Sequence, residues 1–169
     1  GEGYYTSGFQ AEEKYGFDMS KEALKHASKN DPSTQYAVAS IFRLPLEDAS
    51  CDTAVTCFAP FAKDEIERVL TQGGRFFFVS PGPKHLFELK QLIYDTPYEN
   101  EMKDLETTLV KEEEYFISNT FHCEKENLIS LFKMTPYYHR TRNEDIDKIN
   151  HQDGMDITAE FLIRVYQKR

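Results

Sequence analysis

The chain has 169 residues, 40% of them hydrophobic and 29% charged, which excludes a disordered polypeptide and suits one folded domain. A formal charge of −9 excludes bulk electrostatic attraction to nucleic acid, so such contacts would need a local basic patch or a separate domain. Cys51, Cys57 and Cys123 lie far apart with no CxxC pair, so a disulfide framework would leave one over and nothing points to a zinc site, and no apolar run approaches the ~20 residues of a membrane span.

In chain order, Gly1-Glu2-Gly3 opens a turn where glycine lets backbone approach a ligand closely. A short helix is expected over 4–13, then a strand over 14–18 that ends on the acidic Asp18. Glycines, helix and strand-terminal carboxylate describe half of a nucleotide-binding βαβ unit, in which the carboxylate accepts ribose hydroxyls. Ser20 is a good N-cap for a helix over 21–29, whose apolar stripe is Ala23, Leu24 and Ala27 and which stops at Asn30-Asp31-Pro32. Strands follow at 34–39 and 51–57, with a loop or short helix between them and a helix over 63–70 broken by Gln72-Gly73-Gly74. The run 75–80 (RFFFVS) gives the clearest strand signal, and a helix over 84–94 follows Pro81-Gly82-Pro83. Residues 95–114 are polar, acidic and without a period, as expected of a mobile excursion. A strand over 115–123, helices over 125–134 and 142–150 and a closing strand over 157–166 complete the chain. Strands alternating with helices through residue 94 predict an α/β doubly wound sheet, with the late strands adding an antiparallel edge.

Gly1-Glu2-Gly3 resembles the latter half of the D-x-G-C-G-E-G motif of class I S-adenosylmethionine-dependent methyltransferases. Gly16-Phe17-Asp18-Met19-Ser20-Lys21 is similar to the acidic-strand motif of that group, and Val38-Ala39-Ser40 with Arg43-Leu44-Pro45-Leu46 to its adenine-side motif. More specifically, Pro81-Gly82-Pro83-Lys84-His85-Leu86, Phe58-Ala59-Pro60 and Lys133-Met134-Thr135-Pro136-Tyr137 resemble the RlmA family of 23S rRNA guanine-N1 methyltransferases over essentially the whole chain. The resemblance implies a Rossmann-like, mostly parallel α/β sheet with an antiparallel edge strand, forming one methyltransferase domain over 1–169. Two parts of the family pattern are absent from this chain: the first, central strand with its acidic residue, and an N-terminal four-ligand zinc module. A missing central strand would leave unpaired backbone on both neighbours, so the gap is expected to be filled by further residues, a neighbouring chain or rearrangement.

What the resemblance implies for the site can be set beside the plainer reading of each residue. Gly1, Glu2 and Gly3 would wrap the methionine part of S-adenosylmethionine, or be an ordinary loop end. Asp18 would hold the ribose, or cap a turn; Met19 would lie on the adenine, or in the core. Ser40 and Ile41 would touch the adenine edge, or be a loop serine and a packed isoleucine. His85, just past the Pro-Gly-Pro turn, would reach the cofactor or the reacting centre, or be a surface residue. Phe58 and Pro60 would wall the substrate base, or pack in the core. Arg140 and Arg142, in the run Tyr137-Tyr138-His139-Arg140-Thr141-Arg142, would contact RNA, or be a solvated face. No catalytic dyad and no metal ligands stand out, as suits a reaction whose electrophile is carried by the cofactor.

The expected partner is a 23S rRNA hairpin loop in the cytoplasm, with no membrane and with a homodimer allowed. A small-molecule S-adenosylmethionine-dependent methyltransferase, which suits the negative charge, and a catalytically silent fragment are the alternatives.

Overall fold

The computed structural model describes residues 1–169. The expected first helix is only a 3-10 turn, Thr6–Gly8. Tyr4, Tyr5 and Phe9 are all exposed there, so no apolar face exists to stabilise a longer helix. β1 (Tyr15–Asp18) pairs in parallel with β2 (Gln35–Val38), from Tyr15 opposite Gln35 to Asp18 opposite Val38. Between them runs α1 (Lys21–Asn30), capped by Ser20, whose hydroxyl accepts from Ala23 N–H at 3.2 Å. At its far end Asp31 binds Lys14 at 2.8 Å and Thr34 Oγ1 at 2.6 Å, and these bonds hold its carboxyl well below the usual range.

β1 and β2 meet α1 through the Tyr36 ring, and only glycine fits beneath it. A Cβ at Gly16 would stand 2.4 Å from Tyr36 Cδ1, and one at Gly3 (φ +73°) would stand 2.6 Å from Tyr36 Oη. Gly16→Ala is therefore expected to lower stability by about 1–3 kcal/mol, the usual range for overpacking, measured by urea unfolding. Tyr36 Oη is itself buried without a partner, so Tyr36→Phe should leave the midpoint unchanged or raise it.

The larger sheet has the order β3-β4-β6-β5. β3 (Cys51–Cys57) runs parallel to β4 (Leu70–Pro81), and α2 (Lys63–Val69) connects them. β6 (Gly154–Gln167) lies antiparallel to both β4 and β5 (Val110–Glu124). Residues 110–114, expected in the excursion, thus belong to a strand. Its acidic side chains sit on an exposed edge, where Glu114 meets Arg164 at 3.0 Å. One face of the sheet buries Phe76 and Tyr166 against Ile66, Leu70 and Leu109. At one end of the other face, Cys123 and Ile157 pack under α3 (Phe87–Ile93), α4 (Lys125–Lys133) and α5 (Asn143–Asn150).

β1 and β3 do not pair, although Tyr15 and Cys51 at their starts are near enough for charge on one to act on the other. Each keeps a free edge, so of the three expected ways of filling the gap, rearrangement does not occur within this chain. The chain is α/β with a mixed sheet, as expected, but that sheet is in two pieces. No helix is long and apolar enough to cross a membrane.

The segment between α3 and β5 has no regular structure, yet it is bolted down. Lys90, fully buried, donates from Nζ to Tyr98 O (3.0 Å) and to Asn100 Oδ1 (2.7 Å), beneath the Tyr98 and Tyr137 rings. Asn100 Nδ2 in turn donates to Gly82 O at 2.8 Å. Burial pushes the Lys90 ammonium down, so its contribution to stability grows as pH climbs through that lowered value toward that of free lysine. Lys90→Met is expected to change global stability little, since it replaces a buried charge by an apolar side chain of similar length. It should at the same time speed amide exchange over residues 96–102, read by mass spectrometry.

Candidate cofactor and substrate site

The carboxyl end of β1 sets the first part of the site. Asp18 Oδ1 accepts from Ser20 N–H at 2.7 Å. Burial works to raise the Asp18 carboxyl, while the Ser20 and Met19 N–H groups favour its ionised form. Gly1 and Glu2 are exposed, and Gly3 turns with its positive φ beside Tyr36. Met19 is 71% exposed, a poor place for a core methionine and a good one for a ligand-facing side chain.

Ser40 follows β2 directly, where Ala39 N–H donates to Asp18 O at 3.2 Å, so the adenine-side residues stand beside the acidic one. Ser40 Oγ accepts from Phe42 N–H at 3.2 Å, Ile41 is half-buried, and Phe42 is 63% exposed. The loop is staked to α2. Glu65 Oε2 accepts from Leu44 N–H (2.7 Å), while Arg68 donates to Leu46 O (2.8 Å) and Leu44 O (3.3 Å). Its bonds with Arg68 and Leu44 bring the Glu65 carboxyl down to about 2, so this stake holds at any ordinary pH.

A second group of residues forms at the carboxyl ends of β3 and β4. Phe58 has φ +54°, uncommon for an aromatic residue, and is held there by its N–H donating to Val79 O at 2.9 Å. Its ring meets His85 at 5.3 Å and Phe161 of β6 at 5.6 Å, and His85 meets Phe161 at 5.5 Å. Pro60 is exposed two residues on. The structure thus sets His85 beside Phe58, the residue expected to wall a base, and beside Phe161. Phe161 was missed by sequence reasoning, because only the antiparallel register that sets it opposite Pro81 brings it here.

Arg140 and Arg142 lie on the connection between α4 and α5, and both are exposed. Arg142 pairs with Asp145 at 3.6 Å. The neighbouring tyrosines turn inward instead of offering a stacking surface: Tyr138 packs on Phe132 at 5.7 Å, and burial pushes the Tyr137 hydroxyl up to about 12. No three His, Cys, Asp or Glu side chains gather as metal ligands.

A family model described as a methyltransferase domain matches residues 1–78. A solved S-adenosylmethionine-dependent methyltransferase from Mesorhizobium loti superposes with a TM-score of 0.54 at 15% identity, covering 99% of this chain and 87% of that one. The chain has the class I methyltransferase fold. Within this methyltransferase fold, Asp18 and Ser40 follow adjacent parallel strands, and Phe58 and His85 follow the next pair, all at carboxyl ends, where open α/β sheets bind ligands. YxjB of Bacillus subtilis (strain 168), provisionally named a 23S rRNA guanine-N1 methyltransferase, is 28% identical over 168 residues, covering 90% of this chain and 56% of that protein. The 23S rRNA (guanine(748)-N(1))-methyltransferase of Streptomyces fradiae is 39% identical over 82 residues, 48% of this chain and 29% of that protein. The chain therefore spans little more than half the length of the first relative and under a third of the second.

Proposed function

We propose that this methyltransferase-fold chain is the S-adenosylmethionine-binding domain of an enzyme that methylates N1 of a guanine in 23S rRNA. The observation that carries the reading is that Asp18, Met19 and Ser40 follow the parallel pair β1 and β2, and Phe58 and His85 the parallel pair β3 and β4, all past carboxyl ends, in a chain related to YxjB over 168 residues. The residues present fit the cofactor. Asp18 offers an ionised carboxylate for ribose hydroxyls, Met19 and Phe42 offer exposed apolar surface for the adenine, and Ile41 and Ser40 edge it. Gly1, Glu2 and Gly3 would line the methionine end. Bound there, the cofactor supplies a methyl group already activated on a sulfonium. The chain's own task is then to orient the base and leave N1 in line.

In this reading the free edges of β1 and β3 take one further parallel strand, within a longer cytoplasmic enzyme whose additional module docks a loop of the rRNA. Exposed Arg140 and Arg142 would add phosphate contacts. The formal charge of −9 favours a second reading, a methyltransferase acting on a small molecule.

Calorimetric titration with S-adenosylhomocysteine tests the shared step, and one-to-one binding is expected. Salt-sensitive binding of an rRNA hairpin would then support the first reading, whereas cofactor binding with no affinity for RNA in a full-length enzyme would favour the second. Absence of cofactor binding both in this chain and in that enzyme would refute both.

A further inference from the structure

The His85 imidazole is locked by the strand it faces. Its Nδ1 lies 3.2 Å from the backbone nitrogen of Glu160, and a backbone N–H can only donate, so Nδ1 carries a lone pair. Two more bonds sew the loop to the same residue: Gly82 N–H donates to Glu160 O at 2.9 Å, and Lys84 N–H to Glu160 Oε2 at 2.6 Å. The proton of the neutral ring therefore sits on Nε2, which makes no hydrogen bond within the chain and is not fully enclosed. Burial favours this neutral form. The charged groups acting on the ring are the Glu160 carboxylate of β6 and the Lys90 ammonium of α3, which pull in opposite directions, while Phe58 and Phe161 add no charge. Phe58, half-exposed, is tilted at 37° to the imidazole, and Phe161 meets both rings edge-on, at 73° and 69°.

We propose that the exposed Phe58 ring, backed edge-on by Phe161, is a platform for a planar purine, and that the tilted His85 ring beside it donates a hydrogen bond from Nε2 to a carbonyl oxygen on the base edge. This rests on the methyl-transfer reading for the identity of the base and deepens it. It assigns His85 to recognition of the keto edge rather than to proton removal, because accepting a proton at Nδ1 would break the bond to Glu160. A keto purine presents an acceptor where adenine presents an amino donor, so the platform discriminates between them. Drawing electron density toward that oxygen would also ease loss of the adjacent N1 proton to water as the methyl group arrives.

The test is an NMR titration of this chain with guanosine 5′-monophosphate and adenosine 5′-monophosphate, with long-range nitrogen–proton spectra of His85. The expected result is a single ring proton on Nε2 at neutral pH and shifts confined to Phe58, His85 and Phe161. Guanosine monophosphate should bind about fivefold more tightly, the size of one net hydrogen bond. His85→Phe should abolish that preference while leaving both nucleotides bound, and Phe58→Ala should weaken both alike. A proton on Nδ1, an imidazolium at neutral pH, equal affinities in the unsubstituted chain or shifts elsewhere would each overturn the proposal. Parallel titration with S-adenosylhomocysteine separates the two ideas. Cofactor binding with an unresponsive platform sinks the platform alone, and a discriminating platform with no cofactor binding either in this chain or in the full-length enzyme sinks the methyl-transfer reading alone.

Discussion

Asp18→Ala is expected to weaken S-adenosylhomocysteine binding by roughly 10- to 100-fold, because hydrogen bonds to a charged group contribute ~1.5–3 kcal/mol. The fold should survive, since the Asp18 side chain is one-third exposed and its loss opens no core cavity. Asp18→Asn separates the charge from the shape. It keeps an oxygen for Ser20 N–H but offers ribose a weaker acceptor, so an intermediate loss is expected. The Ser20 and Met19 N–H groups favour the ionised carboxyl, and neutral pH lies far above the ordinary carboxylate value of about 4. Binding should therefore be flat across neutral pH. Unchanged affinity in Asp18→Ala would remove Asp18 from the site.

Phe76→Ala should have the largest effect on stability. Its ring is fully buried, stacked on Phe61 at 5.6 Å, with Phe78 at 6.0 Å and Tyr166 at 6.3 Å. Truncating such a residue costs about 3–5 kcal/mol, a large share of the ~5–15 kcal/mol that holds a typical domain. Its neighbour Phe77 points to the opposite face and is only half-buried, so Phe77→Ala should cost about 1 kcal/mol. Urea unfolding of both variants measures the asymmetry. Similar losses for the two would mean that the sheet does not have one filled and one half-open face.

How far the fold was legible depends on where each signal resides. Cys51–Cys57 and Lys125–Lys133 were visible as elements because period and composition act locally. The absent helix near Tyr4 and the strand through Glu112, Glu113 and Glu114 were not. The first needed an apolar partner that its residues never find, and the second gains its strand character from pairing with β6. At the site, Asp18 and Ser40 could be placed by motif spacing on consecutive strands. The triangle of Phe58, His85 and Phe161 draws on three segments far apart in sequence, and Phe161 became visible only through its register opposite Pro81. Nothing local to Lys90 announces that this lysine will be buried under tyrosines.

The break between β1 and β3 has a consequence for cooperativity. The unit made of β1, α1 and β2 carries Asp18 and Met19 but buries only Leu24, Ala27, Asp31 and Thr34, while the larger sheet carries Phe58, His85 and most of the apolar interior. With no backbone ladder between them, the two should melt as separate steps, the small unit first, and its amides should exchange through local opening. A ligand that reaches from Asp18 to Phe58 would bind only when both units are folded and would shift the early step upward by mass action. The merging of two transitions into one would thus report occupancy of the site without any measurement of chemistry.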